Sequence, residues 1–74
     1  MIRSNLPQIK LAKEREVGHK ITYDAMRQGA GIAGSTIARL MSLEPVDRID
    51  GKTLNGLCRF FGCQVGDVLE YVPD

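Results

Sequence analysis

Apolar residues recur at spacings of three and four in five stretches of the chain, and no stretch alternates convincingly as a strand would. The first helix is predicted from about Leu6 to Glu16, with Leu6, Ile9 and Ala12 on one stripe. Asn5 stands at its cap position, Pro7 falls in the first turn, where its missing N–H costs nothing, and Val17-Gly18 closes it. The second runs from Thr22 to about Ala30. Thr22 is the N-cap, Asp24 complements the helix dipole, and Ile21 and Met26 match a hydrophobic staple across the cap. Gly29 weakens its end, and Gly31 is the left-handed residue that turns the chain.

The third helix is predicted from about Gly34 to Met41, with Ile32, Ile37 and Leu40 as apolar anchors and Ser35, Thr36 and Arg39 on the opposite face. A polar loop from Ser42 to Asp50, interrupted by Pro45, leads to a fourth helix from about Gly51 to Phe61. Leu54, Leu57, Cys58 and Phe61 have inward spacing there, and Gly62 stops it. The fifth is predicted from about Val65 to Tyr71, with Gln64 as a cap, Asp67 in the first turn, Val65, Val68, Leu69 and Val72 along one face, and Pro73 at its end. Residues 2–5 are left open between an extended segment and none. The pattern as a whole predicts a compact all-α domain of five short helices spanning 1–74.

Seventy-four residues allow one domain at most and bury only about 60% of the surface the unfolded chain exposes. With one histidine, His19, no tryptophan and two cysteines, the chain is thin in catalytic residue types. The 43% hydrophobic and 26% charged residues exclude a disordered tail. The longest charge-free run, Gln28 to Ala38, is too short and too polar for a membrane span, and the first residues lack a signal-peptide core, so a cytoplasmic location is expected. Cys58 and Cys63 are five apart with no histidine nearby, which argues against a metal site and for two reduced, packed thiols.

The net charge of +1 conceals an asymmetry. Residues 1–43 hold seven basic and three acidic side chains, whereas 44–74 hold three basic and six acidic. Such a split points to a polyanion partner on the N-terminal side.

The stretch Thr22-Tyr23-Asp24-Ala25-Met26-Arg27-Gln28-Gly29-Ala30-Gly31-Ile32-Ala33-Gly34-Ser35-Thr36-Ile37-Ala38-Arg39-Leu40 reads as cap, short helix, glycine turn, apolar plug and short helix. Two helices joined by a short turn containing glycine make a helix-turn-helix, here over about 22–41. Met26 has to face the core, Ala30 has to be small enough for the two helices to approach, Ile32 has to plug the corner, and Ile37 and Leu40 have to anchor the second helix. The polar face that remains is the one that enters a major groove.

In these residues the chain resembles the Cro- and phage-repressor-type helix-turn-helix family, the XRE-like regulators. The family places Thr/Ser-Gln, an apolar position, Gly-Val-Ser, Ser-Thr-Ile and a following Arg where this chain has Thr22-Tyr23, Met26, Gly31-Ile32-Ala33, Ser35-Thr36-Ile37 and Arg39. The segment from Asp50 through Thr53-Leu54 and Cys58-Arg59-Phe60-Phe61-Gly62-Cys63 to Tyr71 is similar to the end of a small group of single-domain bacterial members. Three positions depart from the pattern. Tyr23 replaces the Gln that braces a phosphate. Ala33 replaces the Ser cap, at a cost of about 1 kcal/mol. Gly34 stands where a long base-reading side chain is usual. The segment before Thr22 is also a few residues longer than usual.

The resemblance implies a lambda-repressor-like DNA-binding domain acting as a sequence-specific transcriptional regulator, with a repressor role expected. Its partner would be double-stranded DNA, bound as a homodimer on half-sites about 34 Å apart, with no cofactor or metal. Gly34, Ser35, Thr36 and Arg39 fall at the base-reading positions, and Tyr23, Thr22, Ser42, Lys20 and Arg27 at phosphate-contact positions. Arg39 suits a bidentate guanine contact or a phosphate contact. Ser35 and Thr36 suit base contacts or capping, Tyr23 a phosphate or a packing role, and Lys20 and Arg27 phosphates or solvent. Lys10, Lys13 and Arg15 read as a solvated face, and His19 as a loop residue. One of Phe60 and Phe61 must point away from the core. With Tyr71 and Val72 it would form a dimer patch or a satellite core.

The alternative function is an antitoxin or other protein-interaction module of the same fold, whose partner is a toxin or another regulator. An enzyme is not expected, because no nucleophile–base pair or metal cluster is present and no strand precedes the glycine-rich run 29–34.

Overall fold

A computed structural model of the chain describes residues 1–73. Five helices and a two-stranded sheet follow in the order β1 (Ile2–Ser4), α1 (Leu6–Val17), α2 (Tyr23–Ala30), α3 (Gly34–Met41), α4 (Gly51–Phe61), α5 (Val65–Val68) and β2 (Leu69–Tyr71). Leu6, Met26, Ile37, Leu40, Leu57 and Val68 are fully buried, one or more from each helix, so a single core holds all five together. Ile21, Ala30, Ile32 and Phe61 complete it.

The helix boundaries follow local chemistry. Thr22 accepts the Ala25 N–H at 3.0 Å, and both staple residues, Ile21 and Met26, are buried beneath that cap. Asp50 caps α4 in the same way, its carboxylate accepting the Thr53 N–H at 2.9 Å. Gly31 takes a φ of 70° at the end of α2, so the left-handed turn expected there is present. At the start of α1, Asn5 occupies the cap position but its side chain makes no capping bond. Ser4 takes over, its hydroxyl accepting the Leu6 N–H at 3.1 Å. A second tie crosses from α1 to α2, where the Glu14 carboxylate accepts the Ile21 N–H at 2.7 Å and a Lys10 hydrogen bond at 2.8 Å.

The fifth helix is shorter than the apolar spacing predicts. It ends at Val68, and Leu69–Tyr71 leaves as a strand antiparallel to β1, with Ile2 opposite Tyr71, Arg3 opposite Glu70 and Ser4 opposite Leu69. Asn5 donates to the Val68 carbonyl at 2.7 Å, and Val72 to that of Met1 at 2.8 Å. A single helical turn gains little once its nucleation cost is met, whereas a Val-Leu-Glu-Tyr-Val run fits a ladder as soon as a partner strand is available. The undecided residues 2–5 supply that partner.

Ala30 is buried, as a small residue near the α2–α3 corner has to be, and a further close approach at this residue lies between α2 and α4. A Cβ on Gly56 would overlap the Ala30 carbonyl oxygen. Gly29, read from sequence as a weak point of α2, is where the Phe60 ring lies. A Cβ there would overlap its Cε1 and Cδ1 atoms. Phe60 is half-buried over α2 and meets Phe61 edge to face at 4.9 Å. It takes no part in the groove of about 580 Å³ that Tyr71 lines with Ile2, Val46, Ile49 and Leu69.

Candidate nucleic-acid interface

The third helix sets the geometry of the site. Ile37 and Leu40 are completely buried, so the face on the other side of α3 is directed outward by the same anchoring. Gly34, Ser35 and Arg39 are exposed on it, and Thr36 is half-buried. Ala33 has the extended backbone of a cap residue, φ −71° and ψ 148°, but offers no side-chain acceptor to the helix start. Space around Gly34 is open, since a Cβ there would meet only Arg27 Cδ, at 3.9 Å. Glycine at this position is therefore not a steric requirement of the fold.

Arg27 is thus beside the start of α3. Tyr23, four residues earlier, shares its face of α2 and is 47% exposed. Arg27 is already paired, its guanidinium 2.5 Å from the Asp24 carboxylate, which also accepts from Gln28 at 3.1 Å. Thr22 is exposed at the head of α2. Its oxygen is occupied by the Ala25 N–H, while its own O–H remains a donor. Lys20 is exposed just before it. Ser42 stands apart, at the far end of α3, and is half-buried. Its hydroxyl donates to the Arg39 carbonyl at 2.8 Å and accepts the Glu44 N–H at 3.3 Å, so a phosphate would have to compete for its proton. The structure therefore places Gly34, Ser35, Thr36 and Arg39 on one helix, with Arg27 beside its start, Ser42 at its end, and Tyr23, Thr22 and Lys20 exposed at and before the head of α2.

Arg48 was not legible as part of this surface. It lies with Thr36, Arg39, Ile49, Asp50 and Thr53 around an open cleft of about 310 Å³ between α3 and the head of α4. The Asp50 carboxyl is held below the usual aspartate range by hydrogen bonds from the Thr53 hydroxyl and N–H, so it stays charged. Neither Arg39 nor Arg48 makes an ion pair among the described residues. Two unpaired guanidinium groups beside one capping carboxylate leave the cleft net positive. The loop that carries Arg48 has no periodicity, so only the fold reveals its position.

The basic character of α1 is mostly neutralised within the helix. Lys10 pairs with Glu14 at 2.8 Å and Lys13 with Glu16 at 3.6 Å. The charge asymmetry of the sequence therefore overstates the positive potential near α1 and leaves α3 and its flanks as the better-placed cationic surface. His19 is exposed in the loop after α1, as expected. Among the described residues no group of three or more His, Cys, Asp or Glu side chains is placed to hold a metal, and no helix is long and apolar enough to cross a membrane.

Neither the curated proteins nor the solved structures searched contain a match to the chain. A family model described as the Cro/C1-type HTH DNA-binding domain does match, over residues 17–74. That span begins at the last residue of α1 and takes in α2 to β2. By this match, and with the fold and the exposed face of α3 in agreement, the chain belongs to the Cro/C1-type helix-turn-helix family of DNA-binding domains.

Proposed function

We propose that residues 1–74 act as one DNA-binding domain, a sequence-specific transcriptional regulator that represses by occupying an operator in the bacterial cytoplasm. The α3 helix enters the major groove. Arg39 reads a guanine through its O6 and N7 acceptors, and Ser35 and Thr36 meet neighbouring base edges where Gly34 lets the backbone come close. Arg27 holds a phosphate at the start of α3, Tyr23, Thr22 and Lys20 hold phosphates from the head of α2, and Ser42 one at the end of α3, with Arg48 added beside Arg39. The observation that carries this reading is the division of α3 into a fully buried apolar side, Ile37 and Leu40, and an open polar one.

One such helix offers few base contacts, so useful specificity requires two copies on half-sites about 34 Å apart. The open apolar groove beside Tyr71 favours pairing with a second copy. It is also the feature that supports the alternative of an antitoxin-like module holding a different protein. Sedimentation of the purified chain distinguishes the two. A dimer supports the first, and a monomer that shifts only with a co-expressed protein supports the second.

Fluorescence anisotropy on duplexes taken from the DNA flanking its own gene tests the main reading. Binding should weaken steeply as salt rises, and Arg39→Ala should cost roughly 1–3 kcal/mol. Absence of binding, or affinity indifferent to Arg39, would remove α3 from the interface.

A further inference from the structure

The end of α4 places two thiols together. Gly62 turns the chain with a φ of 65°, and the Cys63 N–H then reaches back to the Cys58 carbonyl at 3.1 Å. This is the six-to-one bond of a Schellman ending, a motif that brings the side chains on either side of the turn into contact, usually as an apolar pair. Here both positions are cysteines. Both are free and half-buried.

Cys63 also lines an open cleft of about 480 Å³ with Ile9, Ala12 and Lys13 of α1 and with Asp67, whereas Cys58 does not. Cys63 is therefore approachable by a small molecule from this cleft, with the Cys58 side chain adjoining it. Burial raises the Cys63 thiol above its ordinary range, with the adjoining Cys58 and Asp67 adding to the effect, so Cys63 rests protonated.

We propose that Cys58 and Cys63 form a reversible dithiol site that small-molecule disulfides oxidise to an intramolecular bond. The thiolate of Cys63 attacks one sulfur of the incoming disulfide, whose S–S bond breaks. The departing thiolate takes up the proton that Cys63 lost. The Cys58 thiolate then attacks the Cys63 sulfur of the mixed disulfide and expels the second small thiolate, which takes the Cys58 proton. The two cysteines lose two electrons and two protons, and the external disulfide is reduced to two thiols. The bond would tie the last turn of α4 to the residue that leads into α5.

Hydroxyethyl disulfide in excess over the full chain is the test, read by intact mass after denaturation and alkylation. The expected product has lost two hydrogens, accepts no alkylating reagent, runs as a monomer and regains both thiols on reduction. In Cys58→Ser the reaction should stop at one hydroxyethylthio group on Cys63. That adduct should accumulate at least about tenfold less in the unaltered chain, where an intramolecular step removes it. Two hydroxyethylthio groups on the unaltered chain, a disulfide between two chains, or two thiols still open to alkylation at equilibrium would each overturn the proposal. The first measurement needs no variant, so it stands even if Cys58→Ser fails to fold.

Discussion

Gly56 of α4 lies directly against the carbonyl oxygen of Ala30, the last residue of α2, with no room between them for a methyl group. This contact fixes how α2 rests on α4, and α3 takes its direction from α2 through the turn at Gly31. Alanine at Gly56 would gain about 1 kcal/mol of helix propensity, yet its Cβ would force the two helices apart. Gly56→Ala should therefore destabilise the chain by about 2 kcal/mol in denaturant unfolding. Gly51→Ala is the matched comparison. It lies in the same helix with nothing near its Cβ, and should leave stability unchanged or slightly raised. Equal effects from the two would show that the close approach carries no energetic weight.

The bare start of α3 yields a prediction of opposite sign. Ala33 already has the backbone angles of a cap and lacks only the acceptor. Ala33→Ser should stabilise the fold by about 1 kcal/mol in thermal or denaturant unfolding. A loss of stability would mean that the first turn of α3 does not have the geometry described.

The Glu14 carboxylate links the end of α1 to the start of α2 and is held below the usual glutamate range, first by the Lys10 hydrogen bond and then by the Ile21 N–H. A carboxyl whose pKa is lowered on folding contributes stability above its unfolded pKa and loses it as pH falls through the folded value. The melting temperature of Glu14→Gln should therefore lie below that of the unaltered chain at neutral pH. The gap should close on acidification through the range in which carboxylates protonate. A gap that is constant down to the lowest pH would show that the ionised form of Glu14 plays no part.

Arg39 and Arg48 separate two kinds of contact. If Arg39 reads a base and Arg48 holds a phosphate, Arg39→Ala should relax the preference at one base pair. Arg48→Ala should weaken binding about equally on all duplexes and reduce the slope of log affinity against log salt by about 1. Parallel anisotropy titrations at several salt concentrations measure both. A salt slope unchanged by Arg48→Ala would place that residue outside the interface.

Much of this arrangement was legible in the sequence because its causes are local. Thr22 as cap, Gly31 as turn, and Ile32, Ile37 and Leu40 as anchors each follow from neighbours within a few residues, and each is found as expected. The pairing of β1 with β2 was not legible. Leu69–Tyr71 matches helical spacing until Ile2–Ser4 is brought alongside from the other end of the chain. Gly29 and Gly56 look like weak helix formers until Phe60 and Ala30 are seen filling the space beside them. Among the candidate contacts, the exposed face of α3 followed from periodicity. The pairing of Arg27 with Asp24, the engagement of Ser42 by the Arg39 carbonyl and the place of Arg48 all depend on side-chain direction or loop path, which spacing does not encode.

The most direct test of the account is selection by the purified full chain from a pool of duplexes with randomised sequence, run beside the Arg39→Ala variant. The account predicts that one motif is enriched, with a guanine whose preference disappears in the variant. A pool that stays random after repeated rounds, or the same motif selected with and without the Arg39 side chain, would contradict it.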